Sequence, residues 1–259
     1  MKSHYASIMA LSDAEVALAA AEAGAAVVRS LYGKPLPRYD KSPVDFATAA
    51  DIEAEQAILD VIREHRPGDA FLGEEGGLTG SSDRIWLVDP LCGTLNFAAQ
   101  TPLIAVNVAL RFQGRDLAAA SADPISGEIF WTDGDHAYLG DSPLTPSPDS
   151  KLVDLNMDPP FDALLSVFTA PGFGARFGPR VLSTTLALAW VAAGRRVAYL
   201  SDGDKRDSVH FAAGLAICRA AGCVVTDLNG EPFETGEGLL VSADRETHET
   251  LLGLIRAAP

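Results

Sequence analysis

The sequence predicts an α+β layered sandwich, and three observations carry that prediction. Strand-length apolar runs and helical segments are mixed rather than strictly alternating, which disfavours a doubly wound sheet. The 259 residues are 47% hydrophobic and 21% charged, enough to build a sizeable core. The third is the stretch Ile85 to Phe97, IWLVDPLCGTLNF, in which a buried strand runs straight into an acidic residue and a tight turn.

Taken in order, Ser12-Asp13-Ala14-Glu15 has the form of a capping box, with serine and glutamate side chains each accepting the other's backbone N–H. The Ala-rich segment after it is strongly helix-forming to about Tyr32, where Gly33 and Pro35 end it. Lys41 to Phe46 reads as a short extended or turn segment. A second helix is expected from about Thr48 to His65, with Ile52, Ile58, Leu59 and Ile62 on one face. Phe71 to Gly77 reads as a short strand ending in a flexible acidic turn that holds Glu74 and Glu75.

Ile85-Trp86-Leu87-Val88 is then a buried strand delivering Asp89 at its carboxyl end. Pro90 is expected to stop the ladder, because it has no N–H to donate. Gly93 and Thr94 follow as a tight turn whose amides face a ligand, and an anion there would gain from the dipole of a following helix. Strands are expected over Ala105 to Phe112 and Leu117 to Ala122. Gly127 to Thr132 and Ala137 to Leu139 read as a hairpin with Gly134 in its turn. Ser142 to Ser150, SPLTPSPDS, reads as a linker, dividing an N-terminal part (1–145) from a C-terminal part (146–259) of one compact unit. Beyond it come a helix over Ser183 to Ala193, a strand at Val197 to Leu200 and a helix over Phe211 to Ala221. Strands at Val224 to Thr226 and Leu239 to Val241 and a helix from Thr247 to Ala257 complete the chain.

The net charge of −15 argues against a nucleic-acid partner, whose affinity comes from Lys and Arg. It leaves room for a small anionic substrate, since local amides and metals override a global field. No apolar run reaches transmembrane length, and Met1-Lys2-Ser3-His4 lacks a signal-type core, so neither a membrane nor export is expected. The three cysteines have no framework spacing, which fits reduced thiols in a cytoplasmic protein. Cys218 and Cys223 read as packing residues; His4, His65, His136 and His248 read as solvated. Asp202, Asp204 and Asp207 around Gly203 read as a solvated loop, with Asp207 or Ser208 capping the next helix.

Asp89, Pro90, Leu91, Gly93, Thr94, Asn96 and Phe97 resemble the signature of the inositol monophosphatase family, Asp-Pro-(Leu/Ile)-Asp-Gly-Thr-x-Asn-Phe. The resemblance extends over nearly the whole chain. Lys41-Ser42-Pro43-x-Asp45, Thr48-x-x-Asp51, Gly73-Glu74-Glu75, Pro124 with Ile129-Phe130 and Ala137-Tyr138, and Ala212-Ala213-Gly214 with Ala221-Gly222 stand in the family's order and spacing. It implies an α-β-α-β-α sandwich, commonly a homodimer, acting on a small-molecule phosphate. It also implies Mg²⁺ ligands at Glu74, Asp89 and the Leu91 carbonyl, and an Asp51–Thr94 pair that positions the attacking water with Glu74. Phosphate donors are implied at the amides of Gly93 and Thr94.

Two family aspartates that serve one metal are replaced, by Cys92 and by His210, the latter in Val209-His210 where the family has Trp-Asp. Leu182-Ser183 replaces a Gly-Ser pair that shapes the substrate pocket, and the leucine is expected to crowd it; Ser183 remains a substrate-binding candidate. Three outcomes follow. Cys92 and His210 form a nucleophile–base pair for acyl or related transfer or hydrolysis, the thiol activated by a helix N-terminus and the imidazole oriented by Asp89 or Asp51. Alternatively Asp89, Cys92 and His210 hold a softer ion such as Zn²⁺, with Glu74 and Thr94 still aiming a water in a phosphomonoesterase acting on an inositol, sugar or nucleotide phosphate. In the third outcome the site is dead and the fold binds a metabolite or partner.

Overall fold

The computed structural model describes residues 10–42 and 45–257, so His4 and the 43–44 step of the first matching segment lie outside it. Helix α1 (Asp13–Leu31) starts with both halves of the expected capping box: the Glu15 N–H donates to Ser12 Oγ at 3.2 Å and the Ser12 N–H to Glu15 Oε2 at 2.7 Å. A two-stranded ribbon of β1 (Arg38–Ser42) and β2 (Asp45–Thr48) then leads into α2 (Ala49–His65). The buried face of α2 is Ala50, Asp51, Ala54, Glu55, Ile58 and Ile62. Ile52 is not on it but 46% exposed, because the helix is rotated to turn its two acids inward.

Eight strands form the first sheet: β3 (Ala70–Gly73), β4 (Gly77–Thr79), β5 (Arg84–Cys92), β6 (Ala105–Phe112), β7 (Arg115–Ala122), β8 (Ile129–Thr132), β9 (Ala137–Leu139) and β10 (Ser142–Pro143). Their order is β10-β9-β8-β7-β6-β5-β3-β4, antiparallel throughout except that β3 and β5 are parallel. Pro90 does not end β5. The ladder with β6 slips between Asp89 and Cys92, and a proline fits at such an irregularity, where a regular ladder bond is already missing. Nor is Ser142 to Ser150 simply a linker: its first residues make β10 at the sheet edge, and the Leu144 N–H donates to the Ala137 carbonyl at 2.8 Å.

A five-residue helix α3 (Thr94–Ala98) joins β5 to β6, and after β10 the chain builds a second sheet. It contains β11 (Leu152–Asn156), β12 (Gly178–Val181), β13 (Ala198–Ser201), β14 (Val224–Thr226) and β15 (Leu239–Ser242), ordered β12-β11-β13-β15-β14. Helices α4 (Asp162–Thr169), α5 (Phe173–Arg176), α6 (Leu186–Ala192), α7 (Val209–Ala221) and α8 (Arg245–Ala257) connect and cover it. The run from β11 to β12 has no counterpart among the predicted elements. A charged residue, Asp154, stands in the middle of β11 and breaks its apolar signal.

The layers follow from strand alternation, since successive side chains point to opposite faces. Trp86 and Val88 of β5 pack into a core under α1 and α2, whereas Leu87 packs with Ala212, Ala213 and Ala216 of α7. The opposite side of α7, with Phe211, Leu215 and Ile217, joins the core of the second sheet together with α6. Helix α8 and α4 lie beyond that sheet. Asp89 follows Leu87 by two residues and therefore faces α7, which is what brings an acid to that helix's first turn.

His248 is a correction. It is buried, 2% exposed, with its ring nitrogens 2.9 Å from Thr226 Oγ1 and 3.1 Å from Ser242 Oγ. Burial holds its pKa below the unfolded value of 6.5. The native state therefore binds fewer protons than the unfolded chain, so this contribution is complete above pH 6.5 and is lost as pH falls below it. Urea titrations are expected to show stability dropping more steeply on acidification through this range in wild type than in His248→Gln. Equal slopes would remove the imidazole from the account.

Candidate active site

Three elements converge where α7 meets the first sheet. Strand β5 supplies Asp89, wholly buried, whose Oδ1 accepts the Leu91 N–H at 3.1 Å. The β3–β4 turn supplies Glu74, whose N–H donates to the Val88 carbonyl at 3.1 Å and so ties the turn to β5. That turn is also held from below. The Glu55 carboxylate on α2 accepts the N–H groups of Glu75 at 2.8 Å and Gly76 at 2.7 Å. A Cβ on Gly73 would lie 2.4 Å from the same carboxylate, so the approach needs glycine there. Helix α7 supplies His210 in its first turn.

The result is a cluster in which one ligand atom each from Glu74, Asp89 and His210 lies within 4.8 Å of the others. His210 Nδ1 sits 2.7 Å from Asp89 Oδ2 and 3.9 Å from Glu74 Oε2. Side-chain exposure rises from 0% at Asp89 through 19% at Glu74 to 43% at His210, so the cluster runs from a buried anchor to an open mouth. Burial and the neighbouring Asp89 charge push the Glu74 carboxyl up to about 8, against the pull of His210 and Lys41. Burial acts to lower the imidazole's pKa, but Asp89 and Glu74 outweigh it and lift His210 to about 9. Both shifts say the same thing: the carboxylates are short of positive charge. Lys41 of β1 supplies part of it, with Nζ 3.0 Å from Glu74 Oε1 and 2.6 Å from Glu75 Oε1.

Beside the cluster, Thr94 Oγ1 donates to Asp51 Oδ1 at 2.9 Å. Asp51 is fully buried in the first turn of α2, where its other oxygen accepts the Thr48 N–H and hydroxyl, each at 2.7 Å. Burial raises its carboxyl pKa, partly countered by those donors. Gly93 takes φ of 95°, a left-handed turn that suits glycine, and leaves its own amide and that of Thr94 without a partner among the described residues. Helix α3 is only five residues long, so it adds little dipole to those amides, contrary to expectation.

Cys92 does not join His210. No hydrogen bond links them among the described residues, and the sulfur is outside the three-residue cluster. The imidazole is oriented by Asp89, as that pairing expected, on the strand face that looks at α7, but the sulfur is not bonded to the ring. Burial and the Asp89 charge push the Cys92 thiol well above its usual pKa, although Thr185 hydrogen-bonds it in the other direction. The burial and the Asp89 charge thus work against the expected activated thiolate, and the side chain packs against the C-terminal core.

A pocket of about 750 Å³ opens over these groups, lined by Glu74, Leu91 to Asn96 and His210 and, across from them, by Asn156, Asp158, Ser183 and Lys205. Leu182 is not part of its wall; it points its N–H to the Leu155 carbonyl at 3.1 Å and leaves the space open. Ser183 Oγ donates to Asp158 Oδ2 at 2.7 Å, and its carbonyl accepts from Asn96 Nδ2 at 2.7 Å. Sequence reasoning brought Asp51, Glu74, Asp89, Thr94 and His210 to one place and passed over Glu55, Asp158 and Lys205. The signal for Glu55 was available: it lies four residues after Asp51, on the same helix face.

An acid-lined pocket thus opens in a stack of two sheets and three helical layers. The family model described as Inositol monophosphatase family matches residues 11–259. The inositol-1-monophosphatase of Caulobacter vibrioides is 32% identical over 243 residues, 84% of this chain and 90% of that one. The Nus factor SuhB of Vibrio cholerae is 30% identical over 250 residues, 92% and 93% of the two chains. A crystal structure of the extragenic suppressor protein suhB from Bartonella henselae superposes with a TM-score of 0.85 at 29% identity, covering 93% of this chain and 97% of that one. The chain belongs to the inositol monophosphatase family. Members of that family generally depend on divalent metal, typically Mg²⁺.

Proposed function

We propose that the protein is a phosphomonoester hydrolase that works with one divalent transition-metal ion held by Glu74, Asp89 and His210. The observation that carries this reading is the convergence of those three groups within 4.8 Å. Two carboxylate oxygens and an imidazole nitrogen, with the Glu74 carboxyl pushed up by burial and by the Asp89 charge, are a donor set that fits such an ion. Imidazole suits Zn²⁺, Mn²⁺ or Fe²⁺ better than the hard Mg²⁺ ion of the family pattern. When bound, the ion supplies Lewis acidity toward a phosphoryl oxygen or a water. It takes over positive charge that His210 and Lys41 otherwise provide.

The chain's own residues supply the rest. The amides of Gly93 and Thr94 offer two donors to a phosphate in the pocket. Thr94 Oγ1, donating its hydrogen bond to Asp51, presents a lone pair that fixes the direction of a water beside the phosphate. Asp51 is the acceptor at the end of that relay; its raised pKa suits it to take a proton, and Thr48 keeps its geometry fixed. Asn156, Asp158 and Ser183 line the opposite wall, where the alcohol part of the substrate lies.

The competing reading, a thiolate–imidazole pair at Cys92 and His210, requires the ring at the sulfur and a lowered thiol pKa. The geometry supports neither. A scaffold without turnover finds an echo in relatives named Nus factor rather than phosphatase, but the open pocket and the intact Asp51–Thr94 pair favour chemistry.

Removal of metal tests the proposal. Protein stripped with EDTA is expected to release no phosphate from inositol 1-phosphate, and Mn²⁺ or Zn²⁺ is expected to restore turnover about tenfold better than Mg²⁺ at equal concentration, following the ligand preferences above. One equivalent of metal per chain is expected. Undiminished turnover in EDTA, or loss of turnover in Cys92→Ala with metal still bound, would favour the covalent pair. Failure of every metal on a panel of phosphomonoesters would leave a binding protein.

A further inference from the structure

The pocket has a second charged end. Lys205, in the turn between β13 and α7, lines the same cavity as Glu74 and His210. Its ammonium stands 5.7 Å from the centre of the Phe211 ring. A Cβ built on Gly203 would lie 3.8 Å from Lys205 Nζ and 2.8 Å from Pro160, so the lysine tip and the 159–160 segment flank the same glycine. The side chain is half-buried, yet among the described residues no carboxylate comes within 4.0 Å of it. The acids nearest in charge, Asp158, Asp202 and Asp204, act on it only through space.

Each of those acids is engaged elsewhere. Asp158 accepts the Ser183 hydroxyl at 2.7 Å. Asp202 accepts the N–H of Gly203 at 2.7 Å and of Ala163 at 3.0 Å, and Asp204 pairs with Arg206 at 2.6 Å. The neighbouring cations are matched in the same way, Arg111 with Asp116 at 2.8 Å and Lys41 with Glu75 at 2.6 Å. Among the described residues, Lys205 thus lines this pocket with no carboxylate paired to it, in a chain of net charge −15. Partly burying an ammonium without a counter-ion is unfavourable, and an incoming anion relieves that cost.

We propose that Lys205 binds a second anionic group, phosphate or carboxylate, on the alcohol part of the substrate. The preferred substrate class is then a phosphomonoester that carries another negative group, such as a bisphosphate or a phosphorylated acid, rather than the monophosphate of a neutral polyol. The turnover half of this proposal rests on the phosphatase reading; the binding half does not.

The test uses the full chain with Mn²⁺ and three probes: inositol 1-phosphate, inositol 1,4-bisphosphate and 3-phosphoglycerate. Wild type is expected to favour one or both doubly anionic probes in kcat/KM. Lys205→Met is expected to lower that preference about tenfold or more, mainly through KM, the size of one charge-assisted hydrogen bond. Lys205→Arg is expected to keep most of it. A preference confined to the bisphosphate assigns a phosphate, and one shared with the phospho-acid admits a carboxylate. Calorimetric binding of the same probes separates the two claims. If no probe is hydrolysed but the bisphosphate binds more tightly than the monophosphate in a Lys205-dependent way, the phosphatase reading falls and the anion site stands. Equal affinity and equal turnover for all three probes in wild type, or a preference unchanged in folded Lys205→Met, overturns the proposal.

Discussion

Asp89→Asn is expected to lower metal affinity by more than about 100-fold and to remove phosphate release with it, while the protein stays folded. Groups that merely steer metal ligands cost about 10–100-fold when removed, and Asp89 is placed to be a ligand itself. The substitution keeps the shape of the side chain. Its carbonyl oxygen can still accept the Leu91 N–H, which now reaches Oδ1 at 3.1 Å, and its amide can donate to His210 Nδ1, now 2.7 Å from Oδ2. What disappears is the buried negative charge. That charge is also what holds the imidazole against α7's first turn in the protonated form, opposing the effect of burial. The checks are metal content after dialysis, calorimetric titration with Mn²⁺, and an unfolding curve. An Asp89→Asn protein that binds one equivalent of metal and turns over normally would take Asp89 out of the site and end the one-ion reading.

Much of this site was legible before any coordinates because strand periodicity and short motifs act locally. The alternation of Trp86, Leu87, Val88 and Asp89 fixes which of them face α1 and α2 and which face α7, and Gly93 marks a turn that suits positive φ. Thr48 and Asp51, singled out by the family motif, also form a capping box at the start of α2. Pairings between distant elements were less legible. Nothing in the chain around Cys92 says that the sulfur meets Thr185 and not His210, because that depends on how α7 is seated on the first sheet. Buried polar groups misled in a consistent way. Asp154 hides β11, Asp51 and Glu55 join Ile58 and Ile62 on the buried face of α2 and leave Ile52 outside it, and His248 looks solvated among its polar neighbours. Each polar atom is satisfied by a group outside its own helix or strand, such as Arg196 for Asp154 and the β3–β4 turn for Glu55, which an apolar periodicity does not report.

Asp154 also supports the second large expected effect: Arg196→Met should destabilise the fold by about 3–5 kcal/mol near neutral pH, the cost of breaking a buried pair by removing one partner. The Asp154 side chain is 0% exposed in the strand between β12 and β13, and Arg196 Nε is 2.9 Å from both its oxygens. The guanidinium is itself mostly buried at 19% exposure and stands 4.7 Å from the centre of the Trp190 ring, so little of its effect is screened by solvent. Burial already lifts the Asp154 carboxyl to about 6 despite the arginine. A native pKa above the unfolded value of 3.8 means that the folded state binds the extra proton, so this group's contribution is greatest below pH 3.8 and is lost as pH rises through about 6. Without Arg196 the carboxyl would rise further. The variant's deficit should therefore be largest above pH 6 and shrink on acidification, opposite in sign to the His248 contribution. Pairing Arg196→Met with Asp154→Asn should recover much of the loss, because the second change removes the stranded charge. Urea unfolding of the single and double variants decides it; a single-variant loss under about 1 kcal/mol, the range of exposed pairs, would show that solvent reaches the acid. The pocket gives a second readout. Strand β11 ends at Asn156 on the pocket wall, so a loosened Arg196→Met protein should lose substrate affinity before it loses the Glu74–Asp89–His210 cluster, which stands on the other sheet and on α7.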